Sequence, residues 1–285
     1  MSLKYYLLFL LYMAFNRFQA QTLVPAGQIG QFNSASSFSI NPAGYLYIAD
    51  SGNNEIVKLD TLGNVIKKIG GYGWSESSFD NPADIFANTL NVYVSDKNNN
   101  RVQFFDKDLN FISQFSNQNS NDEASVFRYP AGCAVSNQGD IFILDSDNNR
   151  IIKFNSRGEF QAAIGSFDAG QYALTSPKQF AIADSKIIVI DSKRMIVFDH
   201  FGNGIKIVPL EMTPSNLNSS FGNISLTDGA QTIFFNETNL QTGIIFSSPF
   251  NPRLDEEIMD SLVFNRKLYL LIRGSILIYD IINQN

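Results

Sequence analysis

The chain repeats one phrase, and that repetition limits its fold more than any other feature. Residues 45–60 read Tyr-Leu-Tyr-Ile-Ala-Asp-Ser-Gly-Asn-Asn-Glu-Ile-Val-Lys-Leu-Asp: a short alternating run, a tight polar turn, and a second alternating run closed by an acid. Residues 92–106 and 141–155 repeat it, and residues 187–199 give a shortened version. The turn acids Asp50, Asp96, Asp145 and Asp191 therefore stand 46, 49 and 46 residues apart. A fixed period of this size marks a repeat architecture, in which no unit can bury its apolar face without a neighbour. Alternating β-branched and aromatic residues, broken by Asn, Asp and Gly, make each unit a set of strands. The units are expected to be propeller blades.

Each unit divides into four short strands. In the second they cover 84–87, 91–95, 101–105 and 111–115; in the third, 133–135, 140–144, 150–154 and 159–164. Pro82, Pro130 and Pro177 recur just before the first strand, where a missing N–H costs the ladder nothing. Gly63, Gly158 and Gly202 recur between the third and fourth strands, a turn that commonly needs positive φ. No apolar spacing of three and four persists long enough for a long helix.

Beyond residue 209 the pattern decays. Segments 221–226, 231–235 and 243–246 read as three strands of a fifth unit, with Asn236 at the turn position. The last unit reads as 262–264, 267–272 and 275–279 and lacks a fourth strand. Residues 22–30 can supply it, which closes a ring and removes its open edges. Pro25 is tolerable there if the strand is outermost. The expected fold is all-β, a six-bladed propeller of four-stranded antiparallel blades closed by the N-terminal strand. Five blades is the alternative, if the stretch after Pro209 is not a full blade.

Residues 1–20 differ from the rest. Lys4 precedes an apolar run over 5–15, and a short polar stretch ends at Ala20. This is the layout of a signal peptide, so the mature domain is expected to span 21–285 and to be exported (periplasmic, cell-surface or secreted), with no transmembrane segment. The net charge is −6 and 17% of residues are charged. That balance argues against nucleic acid as a partner, since such affinity depends on clustered Lys and Arg. Cys133 is the only cysteine, which excludes an intrachain disulfide; its small apolar surroundings suggest a buried thiol.

The full motif is strand-Asp-x-x-Asn-x-Arg-Ile/Val-strand-Asp, with Pro ahead of it and a Gly turn behind. It is best developed at Asp96, Asn100, Arg101 and at Asp145, Asn149, Arg150. It resembles the NHL-repeat β-propeller family over roughly residues 22–205. The first unit departs from the pattern with Glu55 in place of Arg. Amidating lyases among similar propellers use several metal-binding histidines, and this chain has only His200, placed in a turn. Lactonase-like propellers are also similar in outline and hold one divalent cation at the channel mouth. That resemblance implies Asp84, Gln179, Asn223 and Asp260 as oxygen ligands for calcium or magnesium, as the alternative to a cofactor-free chain.

The turn acids read as structural caps, and the arginines as their ion-pair partners. Function is expected where the repeats differ. Three long loops (70–79, 117–129 and 166–176) share one rim with the Asp/Asn turns and hold aromatics among Gly, Ser and Asn. Tyr72, Trp74, Tyr129, Phe167 and Tyr172 are the candidate binding residues, while Phe79 and Phe127 are expected to plug gaps between blades. The expected function is a monomeric, non-catalytic scaffold binding a protein, peptide or glycan on this rim; a metal-dependent hydrolase is the alternative. The Asn-x-Ser/Thr triplets at Asn218, Asn223 and Asn236 read as accidental.

Overall fold

A computed structural model describes residues 21–116, 120–183, 185–236, 250–252 and 254–283. Its strands form six antiparallel sheets arranged as the blades of a propeller. Blade 2 has the strands Pro82–Ala87, Asn91–Asp96, Arg101–Asp106 and Phe111–Phe115, within a few residues of the sequence expectation. The three prolines are the first residues of their strands rather than residues ahead of them. Gly63, Gly158 and Gly202 have φ of +91°, +78° and +93°, so the expected left-handed turns are present. Helix is confined, among the described residues, to two 3₁₀ turns, Glu123–Ser125 and Gly170–Tyr172. No described helix is long and apolar enough to cross a membrane.

The ring closes as expected. Gln21–Ile29 is the outer strand of the sixth sheet and pairs antiparallel with the C-terminal strand Ile276–Asn283. Pro25 sits at a register shift on this outermost strand, a place where proline is tolerated.

Blade 5 corrects the frame read from sequence. Its described strands are Asn216–Ser220, Asn223–Thr227 and Thr232–Asn236, in that order from the centre outward. Residues 221–226 therefore overlap the second strand, and Asn236 ends the third rather than occupying the turn that follows the second. The expected strand 243–246 lies outside the described residues.

The core lies between blades. Phe38, Leu46 and Ile48 of blade 1 pack with Leu262, Tyr269 and Leu271 of blade 6. Phe142 and Leu144 of blade 3 meet Phe180, Val189 and Ile196 of blade 4. Phe79 and Phe127 are fully buried in such layers, as expected for gap-filling aromatics. At roughly 25 cal/mol per Å² of apolar surface, these layers hold the ring together and leave the six inner strands around a central channel.

Candidate functional site

The inner strand of each blade is an edge strand. It pairs outward with the second strand, and on its other side the backbone faces the channel. Five of the six inner strands have a register shift near their start: Ala35/Ser37, Pro82/Asp84, Pro130/Gly132, Pro177/Gln179 and Ile258/Asp260. A bulge re-aims the residue that follows it. The residues so placed are Ser37, Asp84, Gly132, Gln179 and Asp260, and Asn216 at the start of Asn216–Ser220 behaves in the same way.

Backbone accounting explains this ring, because a buried edge N–H must find an acceptor. Four side chains accept the N–H of their own next residue: Asp84 from Ile85, Gln179 from Phe180 at 2.8 Å, Asn216 from Leu217 at 2.6 Å, and Asp260 from Ser261 at 2.7 Å. Blades 1 and 3 have only Ser37 and Gly132 at this position. Their N–H groups are received from the neighbouring blade: Phe38 by Asp260 at 3.3 Å, and Cys133 by Asp84 at 3.0 Å. An amide has one acceptor oxygen and a carboxylate has two. Asn and Gln thus occur where one strand is served, and Asp where one side chain serves two.

Asp84 also accepts from Ser37 Oγ at 2.8 Å, and Asp260 from Asn218 Nδ2 at 3.2 Å. Both carboxyls are buried, and burial pushes both pKa values up, that of Asp260 to about 8 with the Asp84 charge adding to the rise. Their N–H donors pull the other way. The channel cavity beside them has a volume of about 40 Å³, room for a few waters. Three of the four channel residues expected from sequence therefore line this cavity: Asp84, Gln179 and Asp260. Asn223 does not. It starts the second strand of blade 5 and its amide turns back to the Phe221 carbonyl. Asn218, on the inner strand, lines the cavity instead, and its amide donates to the Phe38 carbonyl and to Asp260. Among the described residues, no three His, Cys, Asp or Glu stand together as a metal-binding group.

The loop-rich rim is built by a different device. Asp50, Asp96, Asp145 and Asp191 are fully buried and accept N–H groups from the segment leading into their own blade: Asn33, Asp80, Arg128, and Thr175 with Ser176. In blades 2, 3 and 4 the arginine of the motif pairs with this acid at 2.7, 2.9 and 2.6 Å. Its remaining N–H groups then clamp the incoming loop. Arg101 donates to the carbonyls of Trp74 (2.7 Å), Ser75 (3.0 Å) and Ser78 (2.8 Å). Arg150 donates to Val126 O, and Arg194 to Gln171 O and Ala173 O. A planar five-donor fork suits this role; a lysine could not reproduce it. The Asp–Arg pair is thus a loop anchor.

Loop 71–80 is held at further points. Asn99 Nδ2 bonds Gly73 O, and Gln103 takes both the Ser77 N–H and the Ser78 carbonyl. On this fixed base Tyr72 and Trp74 stand 65% and 70% exposed, edge to face with centroids 5.7 Å apart. Phe167 is 95% exposed and Tyr129 is 47% exposed. Tyr172 differs from the other four. It is half-buried, tilted against Phe198 and closely packed on Gly204, where a Cβ would fall 2.2 Å from its ring. It fills a gap beside blade 4.

The opposite rim has two buried lysines. Lys58 reaches Asp108 of the next blade at 2.7 Å. Lys153 reaches Asp140 at 2.9 Å and the His200 carbonyl at 3.1 Å, and His200 Nε2 meets the same carboxylate at 2.8 Å. His200, in the turn of blade 4, is a joint between blades 3 and 4.

Residues 127–154 match the NHL repeat family. Over 142 residues, 48% of this chain, the sequence is 34% identical to protein brain tumor of Drosophila melanogaster, of whose length the match covers 13%. Among solved structures the chain is similar to a virginiamycin B lyase of Staphylococcus aureus with quinupristin (TM-score 0.59, 12% identity, 87% of this chain and 80% of that one). It is also similar to a chain of a nidogen/laminin complex (TM-score 0.61, 14% identity, 82% and 94%). At such identities these structures speak for the fold alone.

Proposed function

We propose that this chain, which belongs to the NHL-repeat β-propellers, is an exported, non-catalytic scaffold that takes up a protein or peptide on its loop-rich rim. Propellers of this family are a common protein-binding platform. The observation that supports the reading here is the exposed trio of Tyr72, Trp74 and Phe167 on loops that Arg101 and Arg194 tie down. An aromatic held rigid before binding loses little entropy when a partner covers it, which is the physical profile of an interface anchor. One similar structure was solved as a complex of nidogen with laminin, so a propeller of this shape occurs there in a protein assembly.

The channel supports the non-catalytic half of the reading. Its carboxylates are occupied with the N–H groups of two blades each. Photo-crosslinking from position 167, with the partner identified from the adduct, tests the rim. The adduct is expected to disappear when Tyr72 and Trp74 are both changed to Ala. A partner that binds this double variant with undiminished affinity would overturn the assignment.

A further inference from the structure

We infer that the segment recognised by this rim is basic, a peptide stretch presenting Lys or Arg to the exposed aromatics; the inference rests on the rim reading above. The turns and interblade loops of blades 1–4 on this rim expose Glu76, Asp122, Glu123, Asp147 and Asp168. Against them, the exposed cations of the same described turns and loops are Arg128 and Lys193. The other arginines of this rim, Arg101, Arg150 and Arg194, are turned onto buried aspartates and are spent there. None of Glu76, Glu123, Asp147 and Asp168 is in an ion pair among the described residues.

Charge and aromatics share loops. Glu76 lies two residues from Trp74, and Asp168 follows Phe167. A tryptophan face is the best side-chain surface for a cation, and a nearby carboxylate adds to the attraction. An acidic field over the rim also speeds the approach of a basic partner, by an amount that salt diminishes. A neutral or acidic partner would gain nothing from these carboxylates and would pay to desolvate them.

The test is selection of a random-sequence displayed peptide library on the folded chain, with Y72A/W74A as the counter-selecting surface. The expected result is a pool that depends on Tyr72 and Trp74 and is enriched in Lys and Arg over the input. Its best members should lose about tenfold in affinity on the E76Q/D168N variant, the worth of two exposed charge contacts. A pool that needs the aromatics but shows no basic enrichment overturns this inference and leaves the rim reading standing. Finding no aromatic-dependent pool overturns both. Trp74, the only tryptophan, provides a fluorescence signal for the affinities.

Discussion

Arg101→Ala puts the loop-anchor argument at risk most directly. The Arg101 guanidinium makes hydrogen bonds to Asp96, to Gln114 Oε1 at 2.6 Å, and to the carbonyls of Trp74, Ser75 and Ser78. Both members of the Asp96–Arg101 pair are buried. Removing one member of a buried pair leaves the other charge without its partner, at a cost of about 3–5 kcal/mol. Asp96 keeps the Asp80 N–H and the Asn99 amide, so the lower half of that range is the expectation. For a domain of this length, 3 kcal/mol corresponds to a fall in Tm of roughly 6–12 °C. The loop should fail before the ring does. Trp74 anisotropy, measured well below the melting transition, should drop in the variant because three loop carbonyls lose their donor. Arg101→Lys should restore part of the stability but little of the anisotropy, since a point charge cannot span three carbonyls and a carboxylate. A stability loss below about 1 kcal/mol, with Trp74 anisotropy unchanged, would refute the reasoning.

Four further outcomes are expected. Burial pushes the Asp260 carboxyl up to about 8 from 3.8, so the folded state holds its proton more tightly; its contribution to stability is fully present below about pH 4 and is lost as pH rises toward 8. Urea midpoints across that range should show a shallower fall in Asp260→Asn, with Asp84, also raised by burial, responsible for part of what remains. Asp84→Ala removes an acceptor from two strands and should cost about 2–6 kcal/mol in urea melts, whereas Gln179→Ala, which serves one strand, should cost about half as much. Calorimetric titration with calcium or magnesium should give no heat of binding; a one-to-one isotherm abolished by Asp84→Asn would revive the hydrolase alternative. Cell fractionation should recover the chain outside the cytoplasm if the layout of residues 1–20 acts as proposed.

The first four blades were legible because their turn chemistry is strict. The buried acid returns in all four at spacings of 46 to 49, the left-handed Asn in blades 1 to 3 with Ser192 in its place in blade 4, and the arginine fork in blades 2 to 4. Blade 5 lacks that turn, and its inner strand Asn216–Ser220 is polar because its side chains face the channel and the next blade. A polar inner strand carries no alternation in the sequence, so the frame read there is one strand late and points to Asn223, whereas the structure puts Asn218 at the cavity. The pairing of Asp with two strands and of Gln or Asn with one was out of reach, since it depends on which blades lie side by side. The packing of Tyr172 is hidden from the sequence for a related reason. Loop membership predicts exposure on average, and only contact with Gly204 reveals a ring that packs.

The closing strand has a mechanical consequence. Gln21 pairs with Asn283 and Ile29 with Ile276, so the ribbon enters and leaves at the same end. Tension applied between residues 21 and 283 would load one hydrogen-bonded pair at a time, as a zipper opens, rather than all pairs together in shear. A ring held together by apolar layers between its blades would thus open first at its seam when tension is applied there.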